Sequence, residues 1–381
     1  MTSAQQFEAG KIIDSLSVGY NQSETFTLYL PSSFILKKEY PIVFIFSPTG
    51  NGRMGVETFI ETAEVYEYIL ICSNSSQNGS LERNLNIAQR LFNHVFSNFN
   101  ILQNRVYLAG FSGGARLATA IASTSKQIEG VIACGAGFIP NPNYMPSDPI
   151  FSYASICGER DMNYREMFDV KNYLDQLNFH NALFIFDGKH QWPTNKQLLL
   201  AFNWLEMEAI RKGHTTKSQH EIQQCYSMDL NKATTLEKNK QLLIASHHYD
   251  RILKTYHAYF NLDTVSQKNL DLKKSKDFSN KLKNRNKAFK KEENLNLCFS
   301  NRFDKDYSKP HKNSLKWWTR KFSKMDKQKL KSNTQIHKMY ERVRFKIFVT
   351  AYTILNQRNS QMTQEQLQFC KSLISLVQSE Y

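Results

Sequence analysis

Between residues 24 and 213, short apolar, β-branched runs alternate with longer stretches whose apolar positions recur every three or four residues. The runs that predict strands are Glu24–Leu30, Pro41–Phe46, Tyr68–Cys72, Arg105–Gly110, Gly130–Cys134, Phe151–Cys157 and Ala182–Asp187. Several, such as I-V-F-I-F and L-F-I-F, are almost continuously apolar. That is the pattern of strands buried on both faces, and so of a mostly parallel sheet covered by helices. The segments 56–66, 81–98, 113–126, 163–178 and 195–212 predict those helices. The last of them carries Leu198, Leu199, Phe202, Leu205 and Met207 at helical intervals and ends on Arg211 and Lys212 before Gly213, a helix stop signal. Strands alternating with helices predict a three-layer α/β sandwich with a mostly parallel sheet.

At Gly213 the composition changes. No run of comparable strand quality follows; Leu242–Leu253, Asp277–Leu295, Thr334–Leu355 and Thr363–Val377 read as helices, and 296–315 as a less ordered piece. Charge divides the chain at the same place. Of a formal +15, residues 1–213 hold 16 basic and 19 acidic side chains, and residues 214–381 hold 33 and 15. The expectation is an α/β domain over 1–213 and a basic, mainly helical accessory domain over 214–381, with different partners.

A chain that is 41% hydrophobic and 22% charged is globular, not fibrous or disordered. None of the six cysteines lies in a C-x-x-C or other tight ligand spacing, so neither a metal nor a redox site is predicted. Cys72, Cys134 and Cys157 fall inside strand runs, where a free thiol acts as a small hydrophobe. No apolar stretch approaches the roughly 18 residues of a membrane span. The opening M-T-S-A-Q-Q-F-E-A-G-K has no basic start followed by an apolar run, which reads as cytoplasmic; an exported chain that has lost its leader would look the same.

The chemistry concentrates in G-F-S-G-G at 110–114, which follows the apolar V-Y-L-A and opens the helix G-A-R-L-A-T-A-I-A. A serine at a sharp strand-to-helix turn has its hydroxyl lifted above the sheet edge, and crowding of the backbone there demands small residues two before and two after it. Ser112 is therefore the candidate nucleophile. Its hydroxyl needs a base held by a carboxylate, and in such folds the acid and then the histidine follow at the ends of later strands. Asp161 follows F-S-Y-A-S-I-C in C-G-E-R-D, and His190 follows A-L-F-I-F in D-G-K-H-Q-W-P. Glu159 is a second candidate acid, with Asp161 preferred. Asp187 stands too close to His190 in sequence, and His180 precedes its strand and belongs to the other end of the sheet. Two N–H donors must hold the oxyanion. Gly113 supplies one, and Thr49 or Gly50, in the loop S-P-T-G-N-G, supplies the other because Pro48 has none. Trp192 and Pro193 fix the histidine loop, with Trp192 also a candidate pocket wall.

With S-P-T-G-N-G, G-F-S-G-G, G-E-R-D and G-K-H-Q-W-P in this order, residues 20–213 resemble the small serine esterases of the α/β-hydrolase superfamily. The groups closest in pattern are the poly(3-hydroxybutyrate) depolymerases, feruloyl esterases and dienelactone hydrolases. The resemblance implies hydrolysis of carboxylic esters through an acyl-enzyme, including acyl groups on carbohydrates, without a cofactor. Two departures stand out. Many relatives carry His-Gly where this chain has Ser47-Pro48, and the segment 135–150 is too short for a large lid. A peptidase of the prolyl-oligopeptidase type shares the core, but such enzymes carry a gating domain before it and only about twenty residues precede the first strand run here. The remaining alternative is a binding or scaffold protein that works through its helical tail. In that tail, residues 305–346 interleave Lys and Arg with Trp317, Trp318, Phe322, Tyr340 and Phe345, a mixture that suits either a polyanion or a set of helices with solvated lysines. His247-His248 reads as surface.

Overall fold

The computed structural model describes residues 7–19, 21–311, 313–357 and 362–378; the first six residues of the stretch read for a leader lie outside these. Eight strands form one sheet in the order β1-β2-β4-β3-β5-β6-β7-β8. They are β1 (Ile12–Val18), β2 (Asn21–Tyr29), β3 (Tyr40–Phe46), β4 (Ile69–Ser73), β5 (Ile101–Phe111), β6 (Gly130–Cys134), β7 (Ser152–Gly158) and β8 (Asn181–Phe186). From β4 through β8 neighbouring strands are parallel, while β2 pairs antiparallel with both β1 and β4. This is the mostly parallel sheet that the sequence predicts, with β1 added at its edge.

All seven residues of β3 and all five of β4 and β6 are buried, as continuous apolar runs require. Pro41 sits where the β3–β5 register shifts between Tyr40 and Ile42, a place where a missing N–H costs no ladder bond. Alternate side chains serve opposite faces. Ile42, Phe44 and Phe46 share one buried cluster with residues of α2 (Leu81–Asn98), α3 (Gly113–Thr124) and α4 (Tyr164–Gln176), whereas Val43 and Ile45 share the other with residues of α1 (Gly52–Tyr66) and α5 (Asn195–Arg211).

The chain divides into two compact units, and the change of composition at Gly213 is not their boundary. The first unit takes everything up to Gly158, Glu166–Phe186 and Gln191–Leu270, so it includes α6 (Gln219–Lys238) and α7 (Leu242–Tyr256). Buried polar groups explain the extension. The Asn203 amide on α5 donates to the Cys225 carbonyl at 3.1 Å and to Tyr256 Oη at 3.1 Å, and Arg251 pairs with Asp229 at 2.8 Å. His248, expected at the surface, lies inside this network with Nδ1 2.8 Å from Arg251 Nη2, because adjacent helical residues point about 100° apart.

The second unit joins Asp271–Tyr381 to two short segments, Glu159–Arg165 and Asp187–His190. Helix α8 (Asp263–Lys274) runs across the division, and α9 (Lys276–Ser308), α10 (Ser314–Lys329), α11 (Thr334–Gln357) and α12 (Gln364–Gln378) follow. The piece expected to be less ordered at 296–315 is instead the end of α9, a short link and the start of α10. Its Lys and Asn content conceals Phe299 and Phe303, one turn apart, which bury beside Trp318, Phe322 and Val343.

Candidate active site

Ser112 joins β5 to α3 with φ 52°, a left-handed conformation that is uncommon for a residue with a Cβ. Such strain persists only where surrounding structure enforces it. Here the Ser112 N–H donates to the Cys134 carbonyl on the neighbouring strand at 2.8 Å, and its own carbonyl accepts from Ala115 and Arg116 at 3.1 and 3.2 Å. Two glycines let the turn close. A Cβ on Gly114 would stand 1.9 Å from the Phe46 carbonyl oxygen, and one on Gly110 would stand 2.3 Å from the Gly114 carbonyl. Ser112 occupies the N-cap position of α3, yet its side chain makes no capping bond.

The structure brings His190 and Asp161, both in the second unit, together. Nδ1 of His190 lies 2.8 Å from Asp161 Oδ2, with the histidine side chain 8% and the aspartate 1% exposed. An ionised carboxylate only accepts, so Nδ1 carries the proton and Nε2 is left as the basic nitrogen. The other carboxylate oxygen of Asp161 accepts from the Asn163 N–H at 2.8 Å, and the Asp161 carbonyl accepts from Tyr164 at 2.9 Å. The Arg160 N–H donates to the Gly188 carbonyl at 2.9 Å, which ties the acid loop to the histidine loop.

The competing residues are engaged elsewhere. Glu159 pairs with Lys338, Asp187 is half-exposed and bonds to Arg160 at 3.2 Å, and His180 meets Glu208 at 3.1 Å. Arg342, with its side chain fully buried, brackets Glu292 with Nε at 2.9 Å and donates Nη1 to the Glu159 carbonyl at 2.8 Å. Its guanidinium lies 5.1 Å from the Tyr164 ring centre, and the Phe345 ring stands 5.5 Å from the imidazole of His190. No motif points to these contacts: in the sequence Phe345 stands only as part of the basic, aromatic mixture of 305–346, and Arg342 carries no signal.

Of the oxyanion candidates, Gly113 begins α3, where N–H groups lack intrahelical acceptors. Gly50 spends its N–H on the Ser47 carbonyl at 3.3 Å, while the Thr49 N–H has the Ser47 hydroxyl at 3.4 Å. Asn78, which no motif flags, places its amide against Gly113, because a Cβ there would lie 1.9 Å from Oδ1. Trp192 packs at 5.2 Å on Phe111, the residue before the serine, and edge-on to Phe59 at 6.0 Å.

In the basic tail Trp318, Phe322 and Tyr340 are buried in the helical core, so these rings are not platforms for a ligand. Lys316, Arg320, Lys324 and Lys327 remain exposed along one face of α10. Among the described residues no helix is long and apolar enough to cross a membrane.

No family model and no curated protein matches the chain. Among solved structures it is similar to a fluorophosphonate-binding serine hydrolase of Staphylococcus aureus, at 12% identity and TM-score 0.43 over 51% of this chain and 97% of that one. An S-formylglutathione hydrolase of the same organism matches at 14% and 0.43 over 51% and 95%. A ferulic acid esterase of the anaerobic fungus Anaeromyces mucronatus matches at 15% and 0.39 over 50% and 90%. At these values the likenesses add nothing to the geometry, and the functional reading rests on the residues.

Proposed function

We propose that the chain is a serine esterase that cleaves a small-molecule or carbohydrate ester, with Ser112 as nucleophile, His190 as base and Asp161 as its orienting acid. One relationship carries the reading. Ser112 stands in an enforced elbow at the carboxyl end of β5, and the Asp161–His190 pair stands three and four residues beyond the carboxyl ends of β7 and β8. The register keeps those ends level: Phe111 is opposite Cys134, Cys134 opposite Ile156 and Ile156 opposite Phe184. With strands about 4.8 Å apart, the ends of β5 and β7 are separated by about 10 Å, within the reach of two short loops and an imidazole.

In this mechanism Nε2 of His190 takes the Ser112 proton as Oγ attacks the ester carbonyl. Asp161 stabilises the imidazolium, and the N–H groups of Gly113 and of Thr49 or Gly50 hold the oxyanion. Collapse of the tetrahedral adduct breaks the bond to the alcohol, which leaves with the proton from His190. Water, deprotonated by the same nitrogen, then releases the acid and restores Ser112. Labelling with a fluorophosphonate probe beside Ser112→Ala tests the assignment. Labelling lost in the variant, with turnover of p-nitrophenyl acetate reduced about 10⁴-fold or more, is expected. No labelling of the folded, unaltered chain overturns it.

A second reading, contact with a polyanion through 305–346, draws support from the exposed stripe of Lys316, Arg320, Lys324 and Lys327. It requires retention of the full chain on a heparin column that weakens steeply with salt and is lost when the four cations become glutamine.

A further inference from the structure

The second unit holds a cleft of about 210 Å³ that the catalytic reading does not use, and every residue lining it belongs to that unit. Four cations, Arg160, Lys189, Lys329 and Arg344, line it against two carboxylates, Asp326 and Glu341. The cations come from separate parts of the chain: the loops after β7 and β8, the end of α10 and the middle of α11. Like charges brought together repel, so packing alone gives no reason to collect them at one cleft.

Both carboxylates are already engaged. Asp326 Oδ2 lies 2.7 Å from Arg344 Nη2, and Glu341 Oε1 lies 3.2 Å from Lys329 Nζ. Arg160 meets Asp187, outside the lining, at 3.2 Å, and its Nε stands 3.9 Å from Glu341 Oε2, beyond hydrogen-bond length. That Nε is buried and makes no hydrogen bond among the described residues, so the Arg160 fork is not saturated. Arginine carries five N–H donors and lysine three, and the cleft therefore presents more donors than its own carboxylates can take. Arg344 is also fixed in place, buried with its guanidinium 4.9 Å from the Phe322 ring centre. A cation held this way is ready for a ligand without the cost of ordering a mobile side chain.

We propose that this cleft binds a phosphate group, free or carried by a small molecule, between Arg160, Lys189, Lys329 and Arg344. An excess of positive charge in a cleft concentrates anions there, and arginine forks match the oxygens of phosphate. A phosphate offers several acceptor oxygens in a tetrahedral array and nearly two negative charges, which suits donors converging from four directions better than a flat, singly charged carboxylate does. The cleft is smaller than the roughly 300 Å³ at which drug-sized pockets begin, so it takes the phosphate and at most a small remainder. The site does not depend on the esterase reading, although Arg160 and Lys189 stand next to Asp161 and His190 in the chain.

The test is isothermal titration calorimetry of the full chain at fixed ionic strength with inorganic phosphate, glucose 6-phosphate and acetate. Saturable binding to one site is expected for at least one of the two phosphates, with Kd at or below about 1 mM, and binding about tenfold weaker or absent for acetate. K189Q/K329Q changes two side chains that reach solvent and should weaken phosphate at least about tenfold. K316Q/R320Q, on the exposed face of α10, should leave it within about twofold. R160Q reads the same loss should the first double variant not fold. Inorganic phosphate that binds as tightly as glucose 6-phosphate identifies the free ion as the occupant, and tighter binding of the ester identifies a phosphorylated small molecule; either supports the site. No saturable binding of either phosphate, equal binding of acetate, or equal losses in the two double variants overturns it.

Discussion

Arg342 Nη1 donates to the Glu159 carbonyl oxygen at 2.8 Å, two residues before Asp161. This bond fixes the backbone of the acid loop from within the helical unit, and the same guanidinium neutralises the buried Glu292 carboxylate. On the esterase reading, Arg342 is thus a positioning residue for Asp161, acting through the loop without touching the reacting atoms.

Replacement of Arg342 separates these two roles. Arg342→Met strands the Glu292 charge and is expected to cost about 3–5 kcal/mol of stability. The pair Arg342→Met with Glu292→Leu removes the charge as well as the tether, so most of that stability returns while the acid loop stays loose. In the pair kcat should fall about tenfold or more with KM unchanged, because a displaced Asp161 weakens imidazolium stabilisation and leaves ester binding alone. Steady-state kinetics beside thermal melts check this; a pair as stable and as active as the unaltered chain contradicts it.

Gly114 and Gly110 hold the elbow closed. With the Phe46 carbonyl oxygen 1.9 Å from where its Cβ would lie, Gly114→Ala must push the start of α3 away from β3. Labelling of Ser112 by a fluorophosphonate should disappear in this variant while the far-UV spectrum persists. A fully labelled Gly114→Ala would mean that the elbow tolerates a shape other than the one described.

The tight turn at Ser112 and the approach of Asp161 to His190 lie where an esterase's chemistry would put them, which is why the sequence could suggest them. A nucleophilic serine needs small neighbours at a strand end, and its partners need later strand ends. The sheet was legible from its runs of buried β-branched residues, except for β1. That strand reads I-I-D-S-L-S-V with register shifts either side of Leu16 and Ser15 at φ 58°, so no period of two survives in it. Helices α6, α8 and α10 were hidden by polar composition, and α9 was cut short for the same reason. Membership of the units was not legible at all. It turns on side chains such as Asn203 and Arg342, whose buried partners lie far along the chain.

Acid should weaken the first unit through His248. Burial, and then the charges of Arg251, Lys232 and His247, hold this imidazole well below its usual value of 6.5. Its Nδ1 faces the Arg251 guanidinium, itself paired with Asp229, so the folded ring stays neutral while the unfolded chain takes up a proton below about pH 6.5. The unfolded state then binds more protons, and stability falls as pH falls through that range, by at most about 1.4 kcal/mol per pH unit from this group. Urea titrations between pH 7.5 and 5 should show the decline, and His248→Gln should flatten it. An unchanged slope in the variant would place the acid sensitivity elsewhere.

Where the chain can be shortened follows from what α5 and the catalytic loops touch. Helix α5 is buried from Leu200 through Ala209 without a break, including Asn203, Glu206 and Glu208. A helix buried all round must be covered on its outer side. A chain ended after Gly213 exposes that side and leaves Asn203 without the Cys225 carbonyl and Tyr256 hydroxyl, so it should aggregate on expression. A chain ended after Lys274 keeps α6 and α7 over α5 and should be recovered folded. It nevertheless lacks Arg342, Lys338 and Phe345, the partners of Glu159 and His190. Its sheet should persist by circular dichroism while fluorophosphonate labelling of Ser112 falls at least tenfold, because the base and its acid are no longer held. Equal labelling of the 1–274 chain and the full chain would show that the loops carrying Asp161 and His190 hold their geometry without α11.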